Sequence, residues 1–160
     1  MGLRFPPQKY GTCFFVTTTF KQWTPFGSIQ GFYPALAESL VFCATKYSAL
    51  IAGYVLMPTH IHLLIFIEGS KPGAFMRDFK KFIAQKVIKD LKGDSSSVWM
   101  PRYDRVAICS HNVLRQKLNY IHHNPVKSGL VQNAEDWQWS SARDYGSAGE
   151  GTIPVWKQWA

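Results

Sequence analysis

"GYVLMPTHIHLLIFI", residues 53–67, sets two apolar runs on either side of a Pro58-Thr59 break and places histidines at 60 and 62. Runs rich in Val, Ile, Tyr and Phe bounded by a turn signal read as strands, here 49–57 and 60–67. Side chains alternate faces along a strand. Ile61, Leu63, Ile65 and Ile67 therefore line one side of the second strand, and His60, His62, Leu64 and Phe66 the other. A strand apolar on both sides is covered on both sides, so this stretch predicts a sheet with a layer over each face. The two imidazoles point the same way. They are either half-buried histidines with backbone partners or two ligands for a divalent cation.

Working outward, "YGTCFFVTTTF" (10–20) is β-branched and aromatic and predicts a strand. Phe32, Leu36, Leu40, Cys43 and Tyr47 recur at helical spacing, which predicts a helix over 32–47. Phe75, Met76, Phe79, Phe82 and Ile83 give a second apolar stripe, with Arg77, Lys81 and Lys89 mostly off it. "KGDSSS" (92–97) reads as a break, 98–108 as a short fourth strand, and a last helix starts near Ser110. Pro125 is expected to stop that helix close to Asn124. The order βαββαβ predicts an α+β, ferredoxin-like antiparallel sheet with helices on one face and the last helix over the other. At 160 residues the chain reads as a single domain, with its core at about 10–131 and a C-terminal tail at 132–160.

The net charge of +8 points to a polyanionic partner, although a solvated basic surface is compatible with it. Aromatic residues make up 15% of the chain, enough to fill a core or to stack on bases. Cys13, Cys43 and Cys109 are odd in number and widely spaced, which gives no disulfide framework and fits a reducing compartment. Arg4 is followed by Pro6 and Pro7 rather than by a signal-peptide core, and no apolar run approaches a membrane span. The expectation is a soluble, cytoplasmic protein with no membrane partner.

In the last helix Leu114, Leu118 and Ile121 share a narrow stripe, the core face. Tyr120 and Asn124 are four apart, hence stacked neighbours, at the margin between core and solvent. Tyr120 there is either a boundary aromatic with a wet hydroxyl or a group presented to a groove. Ser110 or Asn112 can cap the helix, and Arg115, Lys117 and Lys127 are either solubilising charge or phosphate contacts.

"YVLMPTHIHLLI" (54–65), "LNYIHHNPVKSGLV" (118–131) and "WQWSSARDY" (137–145), in that order, closely resemble the IS200/IS605-like single-tyrosine (HUH) transposases, and most strongly the REP-associated tyrosine transposase group. The resemblance implies a metal-dependent endonuclease and strand transferase acting on single-stranded DNA near hairpins, through a covalent 5′-phosphotyrosine. It also implies Tyr120 as nucleophile, His60 and His62 as metal ligands, Mg²⁺ or Mn²⁺ as the ion, and a monomer or homodimer as the working form. Thr59 stands where many relatives carry asparagine. A single tyrosine in the motif helix argues against the two-tyrosine replication initiators.

Asn124 matches the position where insertion-sequence members commonly carry glutamine as third ligand. Helical geometry favours it over His123: at ~100° per residue Asn124 turns back toward the core from Tyr120, whereas His123 turns toward solvent. His122 falls on the far flank of the apolar stripe. For DNA, Lys80, Lys81, Arg102, Arg105, Arg115, Lys117 and Lys127 are the candidate phosphate contacts. Tyr103, Trp137 and Trp139 are candidate stacking residues, with core packing the alternative for the tryptophans. Two other functions stand beside this one. A non-catalytic nucleic-acid-binding module would need an RNP-like aromatic strand where His-x-His stands. A zinc protein would use His60 and His62 with Cys109 or His111.

Overall fold

The computed structural model describes residues 12–91 and 98–160. Its central strand is the histidine-bearing one. In chain order the elements are β1 (Thr12–Thr19), α1 (Phe32–Lys46), β2 (Leu50–Leu56), β3 (His60–Ile67), α2 (Pro72–Leu91), β4 (Asp104–Ile108), α3 (His111–Lys127) and a short α4 (Ala142–Tyr145). The strands are antiparallel in the order β2-β3-β1-β4, the ferredoxin-like arrangement. Tyr10 and Gly11 of the expected first strand, the 92–97 break, and Arg4, Pro6 and Pro7 lie outside the described residues.

The two faces of β3 divide as the alternation predicts. Ile61, Leu63, Ile65 and Ile67 join one core with Leu36 and Leu40 of α1 and Phe75, Phe79 and Ile83 of α2. Leu64 and Phe66 join the other with Leu114, Leu118 and Ile121 of α3. Phe82, read as part of the α2 stripe, lies at its margin and is 36% exposed. Gly53 of β2 lets α3 approach closely, since a Cβ there would lie 2.5 Å from Leu118 Cδ1.

Two expected boundaries move. Pro125 does not stop α3, which runs to Lys127. Proline offers no N–H to Ile121, but it stands in the last turn, which closes beyond it through Ser128 N–H to the Asn124 carbonyl (3.0 Å) and Leu130 N–H to the Pro125 carbonyl (2.9 Å). The fourth strand is shorter than 98–108. Trp99 makes an isolated bridge to Phe20, and regular pairing starts only at Asp104, past Pro101.

The 132–160 segment is built into the sheet rather than appended to it. Leu56 N–H donates to Trp139 (2.8 Å), Ser141 N–H to Tyr54 (2.9 Å) and Trp156 N–H to Ile51 (2.8 Å), so the outer edge of β2 is capped. Ile153 and Trp159 each enter one of the two cores. The same segment clasps α3. His122 Nε2 and Ser141 Oγ share a 2.8 Å hydrogen bond, and Ser141 Oγ also accepts from Tyr54 N–H at 2.9 Å. Both residues are buried, and burial lowers the His122 pKa to about 4, so the ring is neutral. Ser141→Ala is expected to destabilise the fold by about 2–4 kcal/mol, because it strands two buried polar groups. A urea midpoint equal to that of the parent chain would refute this role.

Candidate active site

The site is assembled from the exposed ends of the face that β1 and β3 turn toward α3. Register pairs Thr17 with His62 and Thr19 with His60. Thr17 Oγ1 and His62 Nδ1 share a 2.9 Å hydrogen bond, and Thr59 Oγ1 and His60 Nδ1 one of 3.0 Å. Each imidazole is thus held through Nδ1. The rings stand 4.8 Å apart at 75°. His62 Nε2 is buried with no partner. A buried imidazole nitrogen costs free energy when unpaired, and a cation or its bound water is the partner that would relieve it.

Tyr120 reaches this pair from α3. Its ring meets the His62 ring edge-on, centroids 5.3 Å apart, and it is 48% exposed. Phe15 stacks on His62 at 5.4 Å and meets Tyr120 at 6.1 Å, filling the floor between strand and helix. Asn124, one turn on, is buried, and its side chain lies close enough to His60 to offset part of the lowering of that ring's pKa by burial. His123 is exposed and turned back on its own helix, with Nδ1 2.9 Å from the Asn119 carbonyl. The helical phase that separated Asn124 from His123 is therefore the phase observed.

Burial lowers both histidine pKa values. His62 falls to about 3, driven by desolvation and then by His60 and Lys117; His60 falls by desolvation, partly offset by the nearby Asn124 side chain. Both are neutral at pH 7, the form in which imidazole ligates a cation. Two imidazoles and one amide, without carboxylate or thiolate, could together hold a divalent cation weakly. The zinc alternative loses support. Among the described residues no third His, Cys, Asp or Glu joins the pair, and His111 packs near Trp159.

The basic candidates separate by face. Lys117 lies on the site side, its Nζ 4.8 Å from the Phe15 ring centre. Arg115 and Lys127 are exposed on α3, and Arg102 lines a cavity beside Thr17. Lys80 and Lys81 belong to α2, in the opposite layer, where Lys80 Nζ donates to the Met100 carbonyl at 2.9 Å. Arg105 packs over Phe14, on that same opposite side. Trp139 stacks on Tyr33 and Trp137 Nε1 donates to the Leu56 carbonyl, so both tryptophans serve packing. Thr17, Phe15 and Trp23, which meets the His60 ring at 6.1 Å, are neighbours of the site that the sequence reading did not single out.

Comparison with known proteins bears on this arrangement. A REP-associated tyrosine transposase of Escherichia coli is 27% identical over 135 residues, covering 83% of this chain and 77% of that protein. A Haemophilus influenzae protein assigned to the same group is 30% identical over 96 residues. The chain is similar to REP-associated tyrosine transposases. The Haemophilus influenzae match covers 54% of each protein, so this chain spans about half the length of that member of the family. A solved structure of a REP-associated tyrosine transposase bound to a REP hairpin shares the fold, with a TM-score of 0.71 at 24% identity over 96% of this chain and 90% of that one. No family model matches the sequence.

Proposed function

We propose that this protein is a metal-dependent single-stranded DNA endonuclease and strand transferase that cleaves near hairpins through Tyr120. The observation that carries the reading is the meeting of Tyr120 with His62, whose buried Nε2 has no partner among the described residues, 4.8 Å ring to ring from His60. Similarity to transposases, one of them solved with a REP hairpin, supports the substrate class.

His60, His62 and the Asn124 amide oxygen would hold the cation. When bound, it neutralises charge on a phosphate oxygen and polarises phosphorus. The chain's own residues do the rest. Tyr120 Oη attacks phosphorus, a 5′-phosphotyrosine bond forms, and the P–O3′ bond breaks to release a 3′-OH. The phenolic proton is lost in the attack, and the leaving oxygen takes up a proton. The Lys117 ammonium on the same side, its Nζ 4.8 Å from the Phe15 ring centre, would contact a phosphate oxygen of the strand. Phe15 excludes water beneath the reacting groups, and Thr17 and Thr59 hold the imidazoles in orientation. A freed 3′-OH can attack the phosphotyrosine and reverse the step, which makes strand transfer possible without ATP.

With labelled single-stranded hairpin DNA and Mn²⁺, denaturing gels are expected to show a covalent protein–DNA adduct. EDTA should abolish the adduct while binding persists, because the basic side chains that would contact phosphates are not among the residues that would hold the cation. Binding should also exceed that of blunt duplex and fall steeply with salt, each neutralised phosphate releasing counterions. Equal affinity for duplex, or an adduct that survives EDTA, would count decisively against the proposal.

A further inference from the structure

The helical layer, on the side of the sheet away from Tyr120, carries an apolar seam that the site does not use. α1 and α2 pack there against the same core. Two ion pairs tie their outer edges: Lys86 Nζ to Glu38 Oε2 at 3.5 Å and Lys46 Nζ to Asp78 Oδ2 at 2.7 Å. Glu38, Phe42 and Lys46 are four apart along α1, and Lys86, Phe82 and Asp78 four apart along α2, so each set shares a helix face. The two rows run antiparallel, and the phenylalanines stand between the two ion pairs. Phe42 is 58% exposed, and Phe82 and Val41 are each 36% exposed. Single exposed apolar side chains are ordinary, whereas an aromatic centre with a charged rim is the anatomy of a protein interface.

The charges say what covers this seam. Glu38 and Lys46 lie on either side of Phe42, about 6 Å each way along the α1 axis. A second α1 laid antiparallel across the first, with a two-fold axis through Phe42, brings Glu38 of each copy opposite Lys46 of the other. A parallel crossing would instead set Glu38 against Glu38 and Lys46 against Lys46. The pattern is therefore self-complementary, as an isologous contact requires. The antiparallel crossing also aligns Lys86, Glu38, the second copy's Lys46 and the second copy's Asp78 in alternating charge. The exposed ring of Phe42 then meets the apolar centre of the other seam.

We propose that this face is a two-fold interface between copies of this chain, centred on Phe42 and set in register by the Glu38–Lys46 pairs. The contact goes beyond the cleavage function and does not depend on it. Because α1 and α2 lie behind the sheet, two joined copies would carry their Tyr120 sites on opposite outer faces.

Sedimentation equilibrium of the 160-residue chain should show monomers in equilibrium with dimers. Phe42→Glu, at an exposed position, should weaken the dimer at least about 30-fold, as loss of a central aromatic does. In Glu38→Lys alone, and in Lys46→Glu alone, like charges meet twice across the axis, and each variant should dimerise about tenfold less tightly than the parent. An equal mixture of the two restores both opposite-charge pairs and should form mixed dimers of parental strength. Asp78 keeps Tyr47 Oη and Arg77 Nε as partners when Lys46 is replaced, so the fold is retained, which equal urea midpoints would verify. A chain that stays monomeric up to about 1 mM, a dimer indifferent to Phe42→Glu, or a mixture no tighter than its components would each overturn the interface. None of these results touches the cleavage function, whose residues lie in the other layer, and a chain that dimerises without cleaving DNA would overturn that function alone.

Discussion

Tyr120→Phe is expected to abolish cleavage and the covalent adduct, a fall of at least about 10³-fold, while leaving DNA affinity nearly unchanged. Only the hydroxyl is removed. The ring keeps its edge contacts with His62 and Phe15, and the half-exposed hydroxyl has no hydrogen-bond partner among the described residues, so packing loses little. In the proposed function binding rests on basic groups, which the substitution does not touch. Denaturing gels with end-labelled hairpin DNA measure the adduct, and a salt titration of the same DNA measures affinity. An adduct persisting in the variant would move the nucleophile elsewhere; Tyr103, which lines the cavity beyond Thr17, is the next tyrosine to replace.

The second large effect separates two adjacent residues. Asn124→Ala is expected to lower metal-dependent cleavage at low Mn²⁺ by about 100-fold, with partial recovery at high Mn²⁺. His123→Ala should remain within about threefold of the parent, as an exposed side chain usually does. By ligand chemistry alone the order would be reversed, since imidazole binds transition metals better than an amide. Position decides instead: Asn124 is buried against His60, whereas His123 is exposed and bonded to Asn119. Asn124→Gln keeps the amide on a longer arm and should be partly active. Cleavage rates against Mn²⁺ concentration for the three variants give the answer, and a greater loss in His123→Ala would reassign the ligand.

The fold was legible because β3 states both its faces in eight residues, and helical phase gave the core stripe of α3. Phase also separated Asn124 from His123, an angular argument that needs no tertiary knowledge. Three things escaped for physical reasons. Pro125 marks a helix end only when the turn has nothing further to bond, and here residues 128 and 130 continue it. Lys80 and Arg105 looked like any surface cations, but strand alternation and helix layer put them behind the sheet. Trp23 depends on two positive φ angles, and neither glutamine nor tryptophan announces such a conformation in advance.

The clasp between His122 and Ser141 has a consequence in time. Chains are synthesised from the N-terminus, so β3 and Tyr120 are made before the segment that holds α3 in place. Until Trp139 and Ser141 pair with Leu56 and Tyr54, the tyrosine helix rests on its apolar stripe alone. A nascent chain paused before residue 137 would carry His60, His62 and Tyr120 without the lock that aligns them. If the proposed function holds, the power to break DNA would then be among the last properties the growing polypeptide acquires.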